Sequence, residues 1–217
     1  MLLAIDASSV TASAALARGG VLVSESFISN GLTHSQTLAP LIGAALKNAG
    51  ASPSDVTRVA VTNGPGSFTG LRIGVATALG FAGALGIPCA GVSSLMAAAY
   101  GALEYEGTVC AAMDARRGQL YCAMFHMKQS VLTRVTEDCA MDYNSFVSQA
   151  PSPVLWVGDA ASQCAREGDR IASRPYVSGY GAALCFLNGF TRPADSVIYL
   201  RPPQAERERM AKHPAAG

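Results

Sequence analysis

The chain has 217 residues and a formal net charge of +1, with 50% hydrophobic and only 14% charged residues. This length allows one large domain or two small lobes with a real core. A charge so close to zero argues against a nucleic-acid binder with its own strong electrostatic footprint. The charges are uneven, because residues 1–103 carry seven of them and residues 104–217 the other 24. The charge-poor half therefore either lies in a membrane or offers apolar surface to a partner.

The membrane alternative rests on the 31 uncharged residues between Arg72 and Glu104. This stretch is longer than the roughly 20 residues that a spanning helix needs. It contains several glycines, however, and Gly86-Ile87-Pro88 is typical of a helix stop followed by an extended segment. We therefore predict helix, turn, strand and helix, and no membrane span. The first residues lack the basic start of a signal peptide, so we expect a cytoplasmic protein.

The six cysteines are widely spaced and form no CxxC pair. Zinc-finger and thioredoxin-like motifs are therefore absent from the sequence. We predict reduced thiols, mostly in the core of a cytoplasmic protein.

The first half of the chain predicts a regular order of elements. Apolar segments at 2–5, 11–16 and 21–28 predict three strands in an antiparallel meander. A 3.6-residue apolar period then predicts a helix over 35–48. The next predicted elements are a strand at 59–62, a helix that opens within 64–70, a strand at 89–92 and a helix from about 93 to 103. The order is βββαβαβα.

The second half repeats this order more weakly. It predicts strands at 108–113, 119–127 and 131–136, a helix at 143–149 and a strand at 154–157, with further helices near 160–167 and 179–190. Residues 111–114 resemble residues 3–6. We therefore predict an α/β protein with an N-terminal lobe over 1–104 and a smaller, divergent C-terminal lobe over 105–217 that includes a terminal tail. Two βββαβα-type lobes are the layout of the actin-like ATPase and sugar-kinase architecture.

Asp6 ends the first predicted strand and has two interpretations. Ligands of such sheets gather at the carboxyl ends of strands, where an acidic residue can meet a nucleotide phosphate and its metal. Alternatively, Asp6 caps its own turn. The turn contains no glycine that would let a phosphate approach the backbone, and this favours the capping role.

The segment 64–70 has three glycines and two hydroxyl residues before a helix. Exposed amides at a helix N-terminus attract anions, although this segment has no Walker lysine. The alternative is a tight strand-to-helix turn. The candidate anion or nucleotide contacts are Asp6, Ser8, Ser67, Thr69 and Gly70.

The helix that follows carries a nearly bare strip that includes Ala76, Gly80 and Gly83. Glycine inside a helix costs about 1 kcal/mol relative to alanine, and close approach of another backbone would offset this cost. With the helix over 35–48, it could present a smooth face to another subunit. The alternative is that both helices only cover their own sheet.

The sequence has three histidines, His34, His126 and His213, without an HxxxH or HxxE pair, and it lacks a Gly-x-Ser-x-Gly elbow. We therefore predict no metal site and no catalytic residue. Asp114 and Arg116 lie in a predicted hairpin turn, which is either solvated or placed near a cleft between the lobes.

Five segments together resemble the TsaB (YeaZ) family over essentially the whole chain. They are residues 3–8, 34–42, 64–74, 114–118 and 199–201. The string Gly64-Pro65-Gly66-Ser67-Phe68-Thr69-Gly70-Leu71-Arg72-Ile73-Gly74 is highly specific to this family and its near relatives.

The resemblance implies a non-catalytic accessory subunit. In this family the partner is a TsaD-type subunit, which installs threonylcarbamoyl on adenosine 37 of tRNA. A TsaE-type ATPase joins the complex, and the accessory chain alone forms a homodimer. The resemblance also implies no tightly bound cofactor, with room for ATP or ADP at the interface of the complex, and only indirect contact with tRNA.

By motif, the docking face maps onto the helices that start near His34 and Thr69. The implied partner-binding residues are His34, Leu38, Leu41, Ile42, Ala45, Leu71, Arg72, Val75, Ala76, Leu79, Gly80 and Gly83. The competing hypothesis from the residues is a small-molecule kinase or ATPase of the same architecture that uses Asp6 and the 64–70 turn.

Overall fold

The computed structural model describes residues 1–29 and 34–201. The predicted terminal tail beyond Arg201 lies outside the described residues. The first elements are β1 (Leu2–Asp6), β2 (Ala12–Arg18), β3 (Val21–Ile28), α1 (His34–Asn48), β4 (Arg58–Thr62), α2 (Phe68–Leu85), β5 (Cys89–Val92) and α3 (Ser94–Ala99). They are followed by β6 (Gly107–Asp114), β7 (Gln119–Lys128), β8 (Val131–Arg134), β9 (Cys139–Asp142), α4 (Tyr143–Gln149), β10 (Leu155–Val157), α5 (Ala161–Cys164), β11 (Arg170–Ile171), α6 (Gly179–Leu187) and β12 (Arg192–Pro193).

The strands form two sheets with the same internal order. The first sheet runs β12-β5-β4-β1-β2-β3, and the second runs β11-β10-β6-β7-β8 with β9 also paired to β7. In each sheet the first three strands of the lobe form an antiparallel meander. Two later strands, β4 and β5 in the first sheet and β10 and β11 in the second, are parallel to the first strand of the lobe. The predicted repeat of the two lobes is therefore confirmed.

Helices cover both faces of the first sheet. Successive side chains of a strand point to opposite faces, so Leu3 and Ile5 of β1 pack towards α1 and α2, whereas Leu2 and Ala4 pack towards α3 and α6. The core around α3 also contains side chains of β6 and β7, while α4 and α5 pack on the other face of the second sheet. The molecule is thus layered as helices, sheet, helices, sheet and helices.

The last helix and strand return to the first lobe, which the predicted division at residue 104 did not include. α6 packs on β1 and β2, where the Gly179 amide donates a 2.6 Å hydrogen bond to Ser13 Oγ. β12 then pairs with β5 in antiparallel fashion. The sequence did not show this return because α6 is apolar on nearly all sides and β12 has only two residues. The hydrophobic periodicity of these two segments therefore did not indicate which sheet they pack against.

Most predicted elements are confirmed with small changes at their ends. The predicted helix over 93–103 is shorter, because α3 ends at Ala99 and a 3₁₀ turn, Tyr100–Ala102, follows it. The helix predicted over 160–167 is likewise only Ala161–Cys164. The short strands β9, β11 and β12 were not predicted, since two to four residues do not show alternation.

α2 is the single helix of the described residues that is long and apolar enough to cross a membrane by length and composition. Its face with Leu71, Val75 and Ala78 is buried in the core beside the first sheet. Gly86 ends the helix in a left-handed conformation with φ +64°, and the chain continues directly into β5. The predicted helix, turn, strand and helix are therefore confirmed.

Candidate functional site

Asp6 lies at the end of β1 and is completely buried. Its Oδ1 accepts hydrogen bonds from Ser8 Oγ and Thr62 Oγ1, both at 2.6 Å, and from the Ser8 amide at 3.1 Å. Burial raises the pKa of Asp6, although these hydrogen bonds oppose the increase. The carboxyl group therefore stabilises the turn after β1, as in the capping interpretation, and does not line the cleft between the lobes.

The glycine-rich segment packs directly on the turn after β1. The Ser67 amide donates a 2.7 Å hydrogen bond to the Ser8 carbonyl oxygen. A Cβ atom on Gly66 would lie 2.2 Å from that oxygen, and one on Gly70 would lie 2.1 Å from the Ala7 oxygen. These glycines are required for a close backbone contact, which is the strand-to-helix interpretation of the segment. The contact holds the glycine-rich segment against the turn after β1, and both segments border the cleft between the lobes.

The remaining candidate anion contacts divide between this turn and the cleft. Ser67 caps α2, because its Oγ accepts a 3.2 Å hydrogen bond from the Gly70 amide. Ser8, Ser67 and Thr69 line the cleft, whereas Gly70 is buried below it. The structure therefore brings three of the five predicted contacts together at the cleft and places Asp6 and Gly70 behind them.

The cleft between the lobes has a volume of about 410 Å³. Its second-lobe wall carries Asp114, Arg116 and Asp159, so the hairpin turn predicted as either solvated or near the cleft lies at the cleft. Arg116 pairs with Asp114 at 3.3 Å, and Asp159 accepts a 2.9 Å hydrogen bond from the Asp114 amide. Burial raises the pKa of Asp159, and the nearby negative charge of Asp114 adds to the increase. Acidic and basic groups thus share this wall.

Residues 199–201 lie at the end of the described chain, where Tyr199 and Arg201 line the cleft, and they were not among the predicted site residues. The ring of Tyr199 packs against that of Phe68, with centroids 4.9 Å apart and an interplanar angle of 40°, and Arg201 donates hydrogen bonds to the carbonyl oxygens of Ala115 and Arg116. These residues appeared in the sequence only as part of the family resemblance, because their partners are distant in the chain.

Apart from His34, the predicted docking residues fall into two groups. Leu38, Leu41, Ile42, Ala45, Leu71 and Val75 are buried in the core between the helices and the first sheet. They are at most 9% exposed, and therefore they cannot form a surface without unpacking the lobe. This part of the predicted face is corrected. An apolar stripe identifies the buried side of a helix, but it does not distinguish the chain's own sheet from a partner.

The exposed faces of α1 and α2 carry small, largely uncharged residues, and we call them together the helical face. α1 and α2 contact each other, so the two exposed strips adjoin. On α2 the helical face retains the predicted residues Arg72, Ala76, Leu79, Gly80 and Gly83. On α1 it consists of residues that were not predicted, namely Ala39, Pro40, Gly43 and Ala44. They could have been found as the complement of the apolar stripe.

His34 begins α1 and is partly buried beside Gly70. Its Nε2 donates a 2.9 Å hydrogen bond to the carbonyl oxygen of Ser9. His34 therefore joins the start of α1 to the turn after β1, beside the helical face. Among residues 1–29 and 34–201, no group of three or more His, Cys, Asp or Glu residues is arranged to hold a metal ion.

The doubled sheet order, the helical layers and the cleft define a class, the two-lobed actin-like ATPase and sugar-kinase fold. A crystal structure from Pseudomonas aeruginosa, described as similar to peptidase YEAZ, superimposes with a TM-score of 0.74 at 25% identity, covering 92% of this chain and 99% of that chain. A family model described as TsaD, tRNA N6-adenosine threonylcarbamoyltransferase, matches residues 23–191.

Two curated relatives narrow the class to one family. The tRNA threonylcarbamoyladenosine biosynthesis protein TsaB of Bacillus subtilis is 34% identical over 74% of this chain and 72% of its own length. The Escherichia coli protein of the same name is 38% identical over 59% of this chain and 56% of its own length. This chain belongs to the TsaB (YeaZ) family.

Proposed function

We propose that this protein acts in the biosynthesis of tRNA threonylcarbamoyladenosine as a non-catalytic subunit. Its helical face docks the TsaD-type subunit that transfers threonylcarbamoyl to adenosine 37. Family membership and the names of the curated relatives support the pathway. The match to the TsaD family model supports a partner of homologous fold.

The observation that carries the docking proposal is the different use of glycine along α2. A Cβ atom on Gly74 would contact Ala7 at 3.4 Å, so this glycine has a role inside the lobe, as Gly70 does. Cβ atoms on Gly80 and Gly83 would have nothing within 4 Å. Each glycine in a helix interior costs about 1 kcal/mol, and no contact within the described chain offsets this cost. A partner helix packed closely on the helical face would do so.

The composition of the helical face also favours a protein partner over exposure to water. Leu79 is 39% exposed, although it lies among alanines and glycines rather than charged residues. Arg72 stands at one end of the α2 strip and Lys47 at the far end of α1. An apolar centre with charges at its rim is the usual organisation of a protein–protein interface.

Two features support a non-catalytic role in this complex. Asp6 is completely buried and accepts hydrogen bonds from Ser8 and Thr62, so its carboxyl group does not line the cleft. His34 is hydrogen-bonded to the Ser9 carbonyl oxygen.

We further propose a cytoplasmic protein that forms a homodimer through the same face when alone. In the complex it would be joined by a TsaE-type ATPase, contact tRNA only indirectly, and have ATP or ADP at the subunit interface rather than as a cofactor of its own.

A charge placed in the middle of the helical face tests the proposal. Leu79→Arg would bury an unpaired guanidinium in the interface, and it should weaken binding to the purified TsaD-type subunit of the same organism by roughly 30-fold or more. Val131→Arg on the edge strand β8 is the matched control, since Val131 is 64% exposed and lies in the other lobe. Titration calorimetry measures affinity, and circular dichroism confirms folding. A folded Leu79→Arg protein that binds with unchanged affinity would refute the docking face.

The pathway role has its own test, which is reconstitution of the tRNA modification from purified components with and without this chain. We expect threonylcarbamoyladenosine to form only when the chain is present, and Leu79→Arg to reduce the yield in parallel with its lost affinity. Full modification without the chain would contradict the accessory role, whatever the binding measurements show.

A further inference from the structure

Four of the six cysteines lie together in the second lobe. Cys110, Cys122 and Cys164 are buried between the second sheet and the helices α4 and α5, and Cys139 packs against them half-buried. All four are free thiols. Cys122 and Cys139 are the closest described pair, with their Sγ atoms 3.5 Å apart.

The register of β7 and β9 places these two residues directly opposite each other in an antiparallel pair. Opposite residues in such a pair have Cα atoms about 4.5–5.5 Å apart, which lies within the span that a disulfide bridges. The two sulfur atoms only need to move from contact distance to a bond length of about 2.05 Å. Side-chain rotation supplies a movement of this size without moving the strands.

We propose that Cys122 and Cys139 form an oxidation site of this protein, at which a hydroperoxide produces a cross-strand disulfide between β7 and β9. The site follows from the geometry of the two strands and does not depend on the proposed function. The oxidant is any small hydroperoxide, because only the outer of the two sulfur atoms needs to be reached.

The reaction proceeds in two balanced steps. The Cys139 thiolate, which is the more exposed of the two, attacks a peroxide oxygen, so that an S–O bond forms, the O–O bond breaks and water or an alcohol leaves. Its sulfur is thereby oxidised to a sulfenic acid. Cys122 Sγ then attacks this sulfur, the S–O bond breaks, and the hydroxyl group leaves as water with the thiol proton. The result is one disulfide, and each peroxide consumed has accepted two electrons.

The second step depends on proximity. Burial raises the pKa of the Cys122 thiol, and the neighbouring Cys139 raises it further. Only a small thiolate fraction therefore exists near neutral pH, which slows the attack. The attacking sulfur is, however, already in contact with its target, and this raises its effective concentration strongly. Formation of the disulfide from the sulfenic acid should therefore accelerate as the pH rises.

The disulfide would tie down a segment that connects the lobes. Asp138, immediately before β9, accepts a 2.6 Å hydrogen bond from Ser93 Oγ at the start of α3 and pairs with Arg134 at 2.7 Å. At the other end of β9, Asp142 caps α4 by accepting from the Ser145 amide at 3.2 Å. β9 itself has only four residues. A covalent link from β9 to β7 would fix both carboxylates in place.

The test treats the full chain with hydrogen peroxide and maps thiols by differential alkylation and peptide mass spectrometry. We expect an intact mass lower by two hydrogen atoms, a peptide pair linked through Cys122 and Cys139, and a melting temperature several degrees higher because the link closes a loop of 17 residues. Dithiothreitol should reverse all three changes.

Two variants distinguish this site from general oxidation. Cys139→Ser should lose the linked peptide and the rise in melting temperature, whereas Cys89→Ser, which removes a half-buried thiol of the first lobe, should retain both. Cys139 sulfinic acid without the link, or a disulfide between other cysteines, would overturn the proposal. If Cys139→Ser does not fold, the peptide map of the oxidised wild-type protein tests the proposal by itself.

Discussion

Arg72 Nε donates a 3.2 Å hydrogen bond to the hydroxyl group of Tyr199, which joins the helical face to the far end of the described chain. The guanidinium of Arg72 also lies 3.9 Å from the ring centroid of Phe68, against which Tyr199 packs. Two residues later, Arg201 bonds to carbonyl oxygens of the second lobe. Residues 199–201 thus connect the helical face of one lobe to the hairpin turn of the other.

Arg201→Ala should loosen this connection between the lobes. Hydrogen bonds from a charged donor contribute about 1.5–3 kcal/mol, so we expect urea unfolding to show a loss of this size. Amide hydrogen exchange in the 66–69 turn at the cleft should also increase. Arg58→Ala is the control, because Arg58 is an exposed arginine of the first lobe. Equal exchange rates in wild type and Arg201→Ala would show that the contact does not hold the cleft.

Gly83→Ala should separate stability from docking. Nothing lies within 4 Å of the added methyl group, so the free energy of unfolding should rise by up to about 1 kcal/mol. The same methyl group would hold a closely packed partner helix away, and affinity for the TsaD-type subunit should fall about tenfold. Ser148→Ala in α4 provides an exposed helical control in the other lobe. A more stable Gly83→Ala protein with normal affinity would exclude close helix packing at this position.

Gly70→Ala should have the opposite effect on stability. Its Cβ atom would lie 2.1 Å from the Ala7 oxygen and 3.1 Å from His34 Cδ2, and neither neighbour is a flexible chain end. Forcing extra atoms into such a contact costs about 1–3 kcal/mol or more. Denaturation midpoints of Gly70→Ala and of Gly80→Ala, which has open space around it, test this difference. Equal midpoints would show that the backbone contact at Ala7 is not required.

The sequence predicted the parts of the fold that depend on local periodicity. The helices α1 and α4 and the strand β3 begin and end within one residue of their predicted limits, because each has a clear pattern or turn at its ends. The packing of α6 and β12 against the first sheet could not be predicted. It depends on contacts with strands more than 100 residues earlier, such as that of Gly179 with Ser13.

The site shows the same division between local and distant information. The bare strip on α2 was visible in the sequence, and its glycines are indeed exposed. The role of Leu38 and its neighbours was misjudged, since a buried stripe has the same pattern whether it faces the chain's own sheet or a partner. The enclosure of Asp6 depends on Thr62, which is 56 residues away in the sequence. The pattern of residues along the sequence does not indicate that contact.

The stability of the second lobe should depend on pH through Asp169. Its side chain is fully buried in an ion pair with Arg166 and accepts hydrogen bonds from Trp156 Nε1 at 2.9 Å and from the Val154 amide at 3.1 Å. Burial alone would raise the pKa of Asp169, but the hydrogen bonds from Trp156, Arg166 and Ser152 outweigh it and hold the pKa well below its ordinary value. The native state therefore favours the ionised carboxylate.

The sign of the effect follows from this depressed pKa. The stability that the carboxylate contributes is fully present above its unfolded pKa of about 3.9, and it is lost as the pH falls towards the lower native value. Asp169→Asn should cost about 1–3 kcal/mol at pH 7, because it removes the charge that pairs with Arg166 and weakens the hydrogen bonds from Trp156 and Val154. It should also flatten the fall in stability below about pH 4. Urea unfolding from pH 2 to 7 measures both effects, with the exposed Asp195→Asn as control. An equally steep fall in the Asp169→Asn protein would assign the acid sensitivity to other carboxylates.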